Sequence, residues 1–158
     1  MLAVIAVIAA FLLLNNTDRR ENIPVAVSSI DKHGITVINI SRGEREDITF
    51  NKAGDTWQMA TPLHARANNT RIDAVLSVLQ ARSYTQLDAG MMDLDRFDLA
   101  NPAVTLTFNN FEFLFGGSNP LEGRRYLLFQ GTIHLIDDGL YQQLLQPAEF
   151  FIQNQDNE

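Results

Sequence analysis

The residues Val104 to Phe115 constrain this chain more than any others. Val104-Thr-Leu-Thr-Phe108 and Phe111-Glu-Phe-Leu-Phe115 both place large apolar side chains at every second position, the period of a strand with one buried face. Asn109-Asn110 lies between them and can supply the positive φ of a two-residue hairpin turn. The pattern predicts a hairpin in which Phe108 faces Phe111, Leu106 faces Phe113 and Val104 faces Phe115. All six then share one face, and a slip of one residue would expose them. Each such side chain is worth about 1.5–3 kcal/mol when fully buried, so this hairpin is the strongest predicted core element.

The flanking sequence follows the same logic. Gly34 to Ile40 is β-branched and reads as a strand; Ile48 and Phe50 mark a second, and Trp57 and Met59 a third that ends before Pro62. Ile72, Val75, Leu76 and Leu79 form one helical stripe, predicting a helix over about 70–82, with Thr70-x-x-Asp73 as a capping box. Residues 83–103 read as irregular, with a turn of helix near Asp93–Phe97. Arg125–Phe129 and Thr132–Ile136 form a further hairpin around Gln130-Gly131, with His134 opposite Leu127. A short helix from about Asp138 stops at Pro147. The class is α+β: antiparallel sheets with packed helices, in two successive strand-strand-strand-helix-like halves that share no sequence identity.

Leu2 to Leu14 carries no polar side chain. As a helix it is about 20 Å long, short against the ~20 residues of a usual membrane span. A core helix would keep a polar stripe. A cleaved signal would show a basic start and a small-x-small site, whereas Asn-Asn-Thr-Asp-Arg-Arg follows here. An uncleaved single-pass transmembrane helix is the favoured reading, with Leu2, Ala6, Ala10, Phe11 and Leu14 as its marker residues. The missing basic flank points to a truncated start or a misassigned start codon. Arg19 and Arg20, counted alone, would hold the far end of the helix in the cytoplasm. The expected layout is anchor 1–14, tether 15–33, α+β domain 34–150 and flexible tail 151–158.

Composition removes several functions. Nineteen acids against 12 bases give a net charge of -7, which argues against nucleic-acid binding. The chain has no cysteine, which excludes disulfides, thiol catalysis and thiolate metal sites. His33, His64 and His134 do not fall at metal-ligand spacing. Asp93-x-Asp95-x-x-Asp98 begins like a calcium loop, but Phe97, Asp98 and Val104 stand where the motif needs a ligand, Gly and Glu. Gly116-Gly117-Ser118-Asn119-Pro120 lacks the closing glycine of a nucleophile elbow, and no Gly-Lys-Ser/Thr makes it a phosphate loop; it reads as a shaped inter-strand loop. Arg124-Arg125 is expected to pair with Glu122 or Asp137. No catalytic, cofactor or metal residue is assigned.

Several short signatures occur in order: Gly54-x-x-Trp57-x-Met59-x-x-Pro62, Ala65-x-Ala67-Asn68, Val75-Leu76-x-x-Leu79, Phe97-x-Leu99-x-x-Pro102, Phe115-Gly116 and Arg125-Tyr126. This set resembles the bacterial domain-of-unknown-function family 4340 over roughly residues 34–147. The chain departs from it at Asn68, where the family often has Asp, and at Asp98, where it often has Gly. The resemblance implies an envelope protein with one N-terminal membrane segment, a domain facing the periplasm, and in some members an association with ABC-type transport systems. In a bacterial chain the Asn-x-Ser/Thr triplets at Asn15, Asn39 and Asn68 are accidental.

The expected function is therefore a membrane-anchored, non-catalytic accessory domain of an inner-membrane assembly. Its partner would be an integral membrane protein complex such as a transporter, with no nucleic acid and no cofactor. The alternative is a periplasmic small-ligand or envelope-polymer binding module, with Trp57, Tyr84 or Tyr141 lining a cleft. A more remote alternative is a hydrolase using carboxylates among Asp88–Asp98.

Overall fold

The computed structural model describes residues 24–153. The anchor residues Leu2, Ala6, Ala10, Phe11 and Leu14, residues 15–23 of the tether, and residues 154–158 lie outside this range. No helix among the described residues is long and apolar enough to cross a membrane.

The chain is mostly antiparallel sheet with few helices. Strands β2 (Val37–Arg42), β3 (Arg45–Ala53), β4 (Thr56–Thr61) and β5 (Ala65–Arg66) form one meander, followed by helix α1 (Asn69–Leu76). Strands β8 (Val104–Phe108), β9 (Phe111–Asn119), β10 (Arg124–Phe129) and β11 (Thr132–Asp137) form a second, followed by helix α2 (Gly139–Leu144). Pairing of β2 with β8 joins the meanders. With β7 (Gln86–Asp88) added to β11, they make one nine-stranded sheet of order β5-β4-β3-β2-β8-β9-β10-β11-β7. Each half thus has four strands before its helix rather than the expected three, and the halves share one sheet.

The predicted central hairpin is present in the predicted register, Phe108 opposite Phe111, Leu106 opposite Phe113, Val104 opposite Phe115. Asn109 has φ 53°. Its side-chain oxygen also accepts from the amides of Thr36 and Val37, at 3.0 and 3.1 Å, so one turn residue fixes the start of the neighbouring strand. The second hairpin is also in register, with Leu127 opposite His134. One face of the sheet carries Ile38, Ile40, Ile48, Phe50, Leu106, Phe113 and Phe115, all fully buried, and α1 and α2 contribute Ile72, Val75, Tyr141 and Leu144 to the same core. Phe113 stacks on Phe129 at 4.2 Å and meets Phe108 edge-on at 5.6 Å.

Several boundaries differ from expectation, each for a local reason. Lys32–Gly34 is a 3₁₀ turn, because the Asp31 carboxylate accepts from the His33 amide, so the first long strand begins at Val37 and not Gly34. Helix α1 is capped by Asn68, whose side chain accepts from the Arg71 amide; Thr70 lies inside it. It tightens to 3₁₀ over Ser77–Gln80, where the Ser77 hydroxyl donates back to Ala74 O at 2.6 Å. Within the stretch read as tether, β1 (Val25–Ala26) pairs with β6 (Arg82–Ser83), and Val27 is buried. Within the stretch read as tail, Phe151 is fully buried and Ile152 bridges to Ala67.

Gly116-Gly117 is not a loop. Both residues lie in β9, where the register with β10 shifts between Arg125 and Leu127, a bulge that bends the strand. The 3₁₀ turn Leu94–Phe97 and Leu99 pack against it, and a Cβ on Gly116 would collide with the Phe97 carbonyl and lie 2.9 Å from Leu99 Cδ2.

Candidate functional site

The two faces of the sheet are chemically different. On the face away from the helices, β9–β11 are covered by the chain between β7 and β8: Phe97 meets Tyr126 edge-on at 4.8 Å, and Leu99, Ile133 and Leu135 are buried. The other half of that face bears Asn39, Ser41, Thr49, Gln58, Thr105 and Thr107, all half-buried. Asn39 sits between Thr49 and Thr107 in the ladder, and its amide donates to Thr49 Oγ1 at 3.0 Å. Short Thr, Ser and Asn side chains on a rigid sheet lose little entropy on contact, so this half-face is a preorganised hydrogen-bonding surface.

A second feature lies on the helix side. His134 is inward-facing on β11 and only 4% exposed. The Ser83 hydroxyl donates to Thr85 O at 3.0 Å. Its oxygen is therefore left to accept from His134 Nδ1, which lies 3.0 Å away. That assigns the proton to Nδ1 and the lone pair to Nε2. Burial pushes the imidazole pKa down, favouring the neutral ring. His134 lines a cavity of about 570 Å³ together with Val27, Ser28, Gln86, Phe129 and Thr132, a size within the range of small-ligand sites. The pair has the wrong polarity for nucleophilic catalysis, since an activated serine must donate its proton to the histidine. It suits binding of a neutral polar group.

The other candidates occupy separate places. His33 is exposed in the 3₁₀ turn Lys32–Gly34, and His64 is exposed in the connection between β4 and β5. Among the described residues, no three His, Cys, Asp or Glu side chains are grouped to hold a metal. Asp88 and Asp93 each cap a 3₁₀ turn, accepting from Gly90 N and Asp95 N. Asp98 takes a left-handed conformation at the end of the second turn. Trp57 lines a cavity of about 310 Å³ with Lys52, Asp55 and Asp73, and neither Tyr84 nor Tyr141 borders it.

Arg124 pairs with Glu122 as expected and covers the Tyr84 ring at 3.6 Å. Arg125 pairs with Asp138 at 2.6 Å, not with Asp137, whose carboxylate accepts from Gly139 N. Arg125 also donates to Gly116 O and covers Tyr141 at 3.5 Å. Burial alone would raise the Asp138 pKa, but hydrogen bonds from Gln142 and Arg125 and the arginine's charge outweigh it and hold the carboxyl below its ordinary range. These contacts tie β9 and β10 to α2. Sequence reasoning did not pick out Ser83, whose role depends on a strand brought in from elsewhere, or Arg42, though Arg42 continues the inward series Ile38, Ile40.

Residues 57–155 match the family described as "Domain of unknown function (DUF4340)". No curated protein and no solved structure matches the chain.

Proposed function

The chain belongs to the DUF4340 family, and from that premise we propose that it is a membrane-anchored, non-catalytic accessory domain that docks on an integral membrane protein of the inner membrane, with its folded part in the periplasm. The observation that carries this reading is the half-buried polar half-face built by β2, β3, β4 and β8, which no helix among the described residues covers. Its side chains lie outside the apolar core, and the strand ladder sets them at regular spacing. The sheet edges are less suited to a partner, because β5 and β7 are only two and three residues long. The apolar run Leu2–Leu14 supplies the anchor. Ala6 and Ala10 on it allow close approach of a second helix.

A second reading, a small-ligand or envelope-polymer binding module, is favoured by the His134 cavity. A hydrolase is less well supported, since Asp88 and Asp93 serve as turn caps. The test is affinity purification of the full-length protein in mild detergent, with native-gel sizing. A membrane partner is expected to co-purify, and the pair Thr49→Arg and Thr107→Arg should release it without changing the unfolding midpoint appreciably. A lone monomer, or a partner retained at full yield by the double variant, overturns the proposal.

A further inference from the structure

Arg42 is the last residue of β2 and points into the core side of the sheet with Ile38 and Ile40. It is only 8% exposed. A guanidinium carries five N–H donors and a permanent charge. Here Nη1 donates to Gln146 O at 2.6 Å and Nη2 to Glu46 O at 2.8 Å. Nε is sealed from solvent with no partner. The side chain is thus anchored by two neutral carbonyls, and among the described residues no carboxylate forms an ion pair with it. The ion pairs among the described residues are Arg124–Glu122 and Arg125–Asp138.

A second cation lies on the same cavity. Arg45, three residues on, donates to Leu145 O at 3.1 Å. Burial, and next the charge of Arg45, push the Arg42 pKa down, with Asp47 acting in the opposite direction. Burying a charge without a counter-charge is costly. Both arginines line a cavity of about 460 Å³ whose other walls include Pro62, Leu145, Pro147 and Ala148.

We propose that this cavity binds a small monovalent organic carboxylate, its anion on Arg42 and Arg45 and its apolar stem on the proline and leucine walls. Two always-charged guanidinium groups on one wall favour an anion, and a carboxylate is the one that an apolar stem can carry. Glu46 and Glu149 also line the cavity, and their charge disfavours a polyanion such as phosphate. The inference is independent of the docking face, which lies on the other side of the sheet.

The experiment is titration of the full-length protein in detergent, at constant ionic strength, with sodium butyrate, butanamide and inorganic phosphate. Binding is read by calorimetry and by the NMR resonance of the Arg42 Nε–H. Butyrate should bind saturably at one site and shift that resonance. Butanamide and phosphate should bind at least tenfold more weakly. Arg45→Gln, which alters an exposed side chain, should weaken butyrate at least tenfold, with the unliganded unfolding midpoint unchanged. Equal binding of butanamide or phosphate, undiminished binding by Arg45→Gln, or no saturation with butyrate overturns the proposal.

Discussion

Replacing Phe113 by Ala tests the centre of the sheet directly. The side chain is fully buried, mid-strand, stacked on Phe129 at 4.2 Å and edge-on to Phe108 at 5.6 Å. Truncating a buried Phe to Ala costs about 3–5 kcal/mol through lost transfer energy and the cavity left behind. Each aromatic contact adds about 0.5–1.5 kcal/mol beyond its area. With Phe108 and Phe129 held by their own strands, the hole cannot easily collapse, and the expected loss lies at the upper end, about 4–5 kcal/mol. Glu112, the preceding residue, is exposed on the opposite face. Glu112→Ala should cost under about 0.5 kcal/mol. Urea unfolding can be followed through the single tryptophan, Trp57, which is buried. The comparison is made at constant m-value, so that the shift in midpoint reports stability. Similar losses for the two variants, or a loss below about 1 kcal/mol for Phe113→Ala, would refute the register and the packing argument together.

Other perturbations give separate readouts. Gly116→Ala should destabilise by about 1–3 kcal/mol by overpacking, measured by the same unfolding curve, because the Phe97 carbonyl occupies the space of the new methyl. Asn68→Ala should cost about 1 kcal/mol through loss of the helix cap, whereas Asn68→Asp should retain stability; a tolerated alanine would remove the cap from the argument. The lowered pKa of His134 means that the unfolded chain takes up a proton near pH 6.5 while the folded one resists it. Stability should therefore fall as pH drops from about 6.5 toward the folded-state pKa, and His134→Gln should flatten that part of the profile. An unchanged profile in the variant would assign the effect elsewhere.

The central hairpin was legible because every cue agreed: alternation, a turn able to take positive φ, and one register that buries all the large residues. Residues whose role depends on distant chain were not. Gly116-Gly117 looks like a loop until the Leu94–Phe97 turn is laid against it. The capping-box pattern points to Thr70; the cap is Asn68, whose backbone amide is also held by Phe151 O at 2.8 Å, a contact from distant chain. The two departures from the resembling family become intelligible in the same way. Asn68 caps the helix as Asp would. Asp98 sits at φ 53°, a conformation that glycine adopts without strain. Strands β1, β5 and β7 carry too few residues for periodicity, and only their partners define them. Arg42 lies beyond Ile40, where the strand is expected to end, and its missing counter-charge is a property of the assembled core.

The joint between the two meanders has a consequence for how the chain is born. Ile38 pairs with Phe108 and Ile40 with Leu106, so the first meander leaves the ribosome some seventy residues before its central neighbour. Throughout that interval the flank of β2 is a raw seam with apolar side chains beside it. Contacts of such long sequence separation form late, and exposed strand flanks invite pairing with other chains. Two nascent copies can close the seam on each other through the second meander of each, giving an exchanged dimer built from the same ladder. The interval between the two meanders is thus a race between β8 and a stranger.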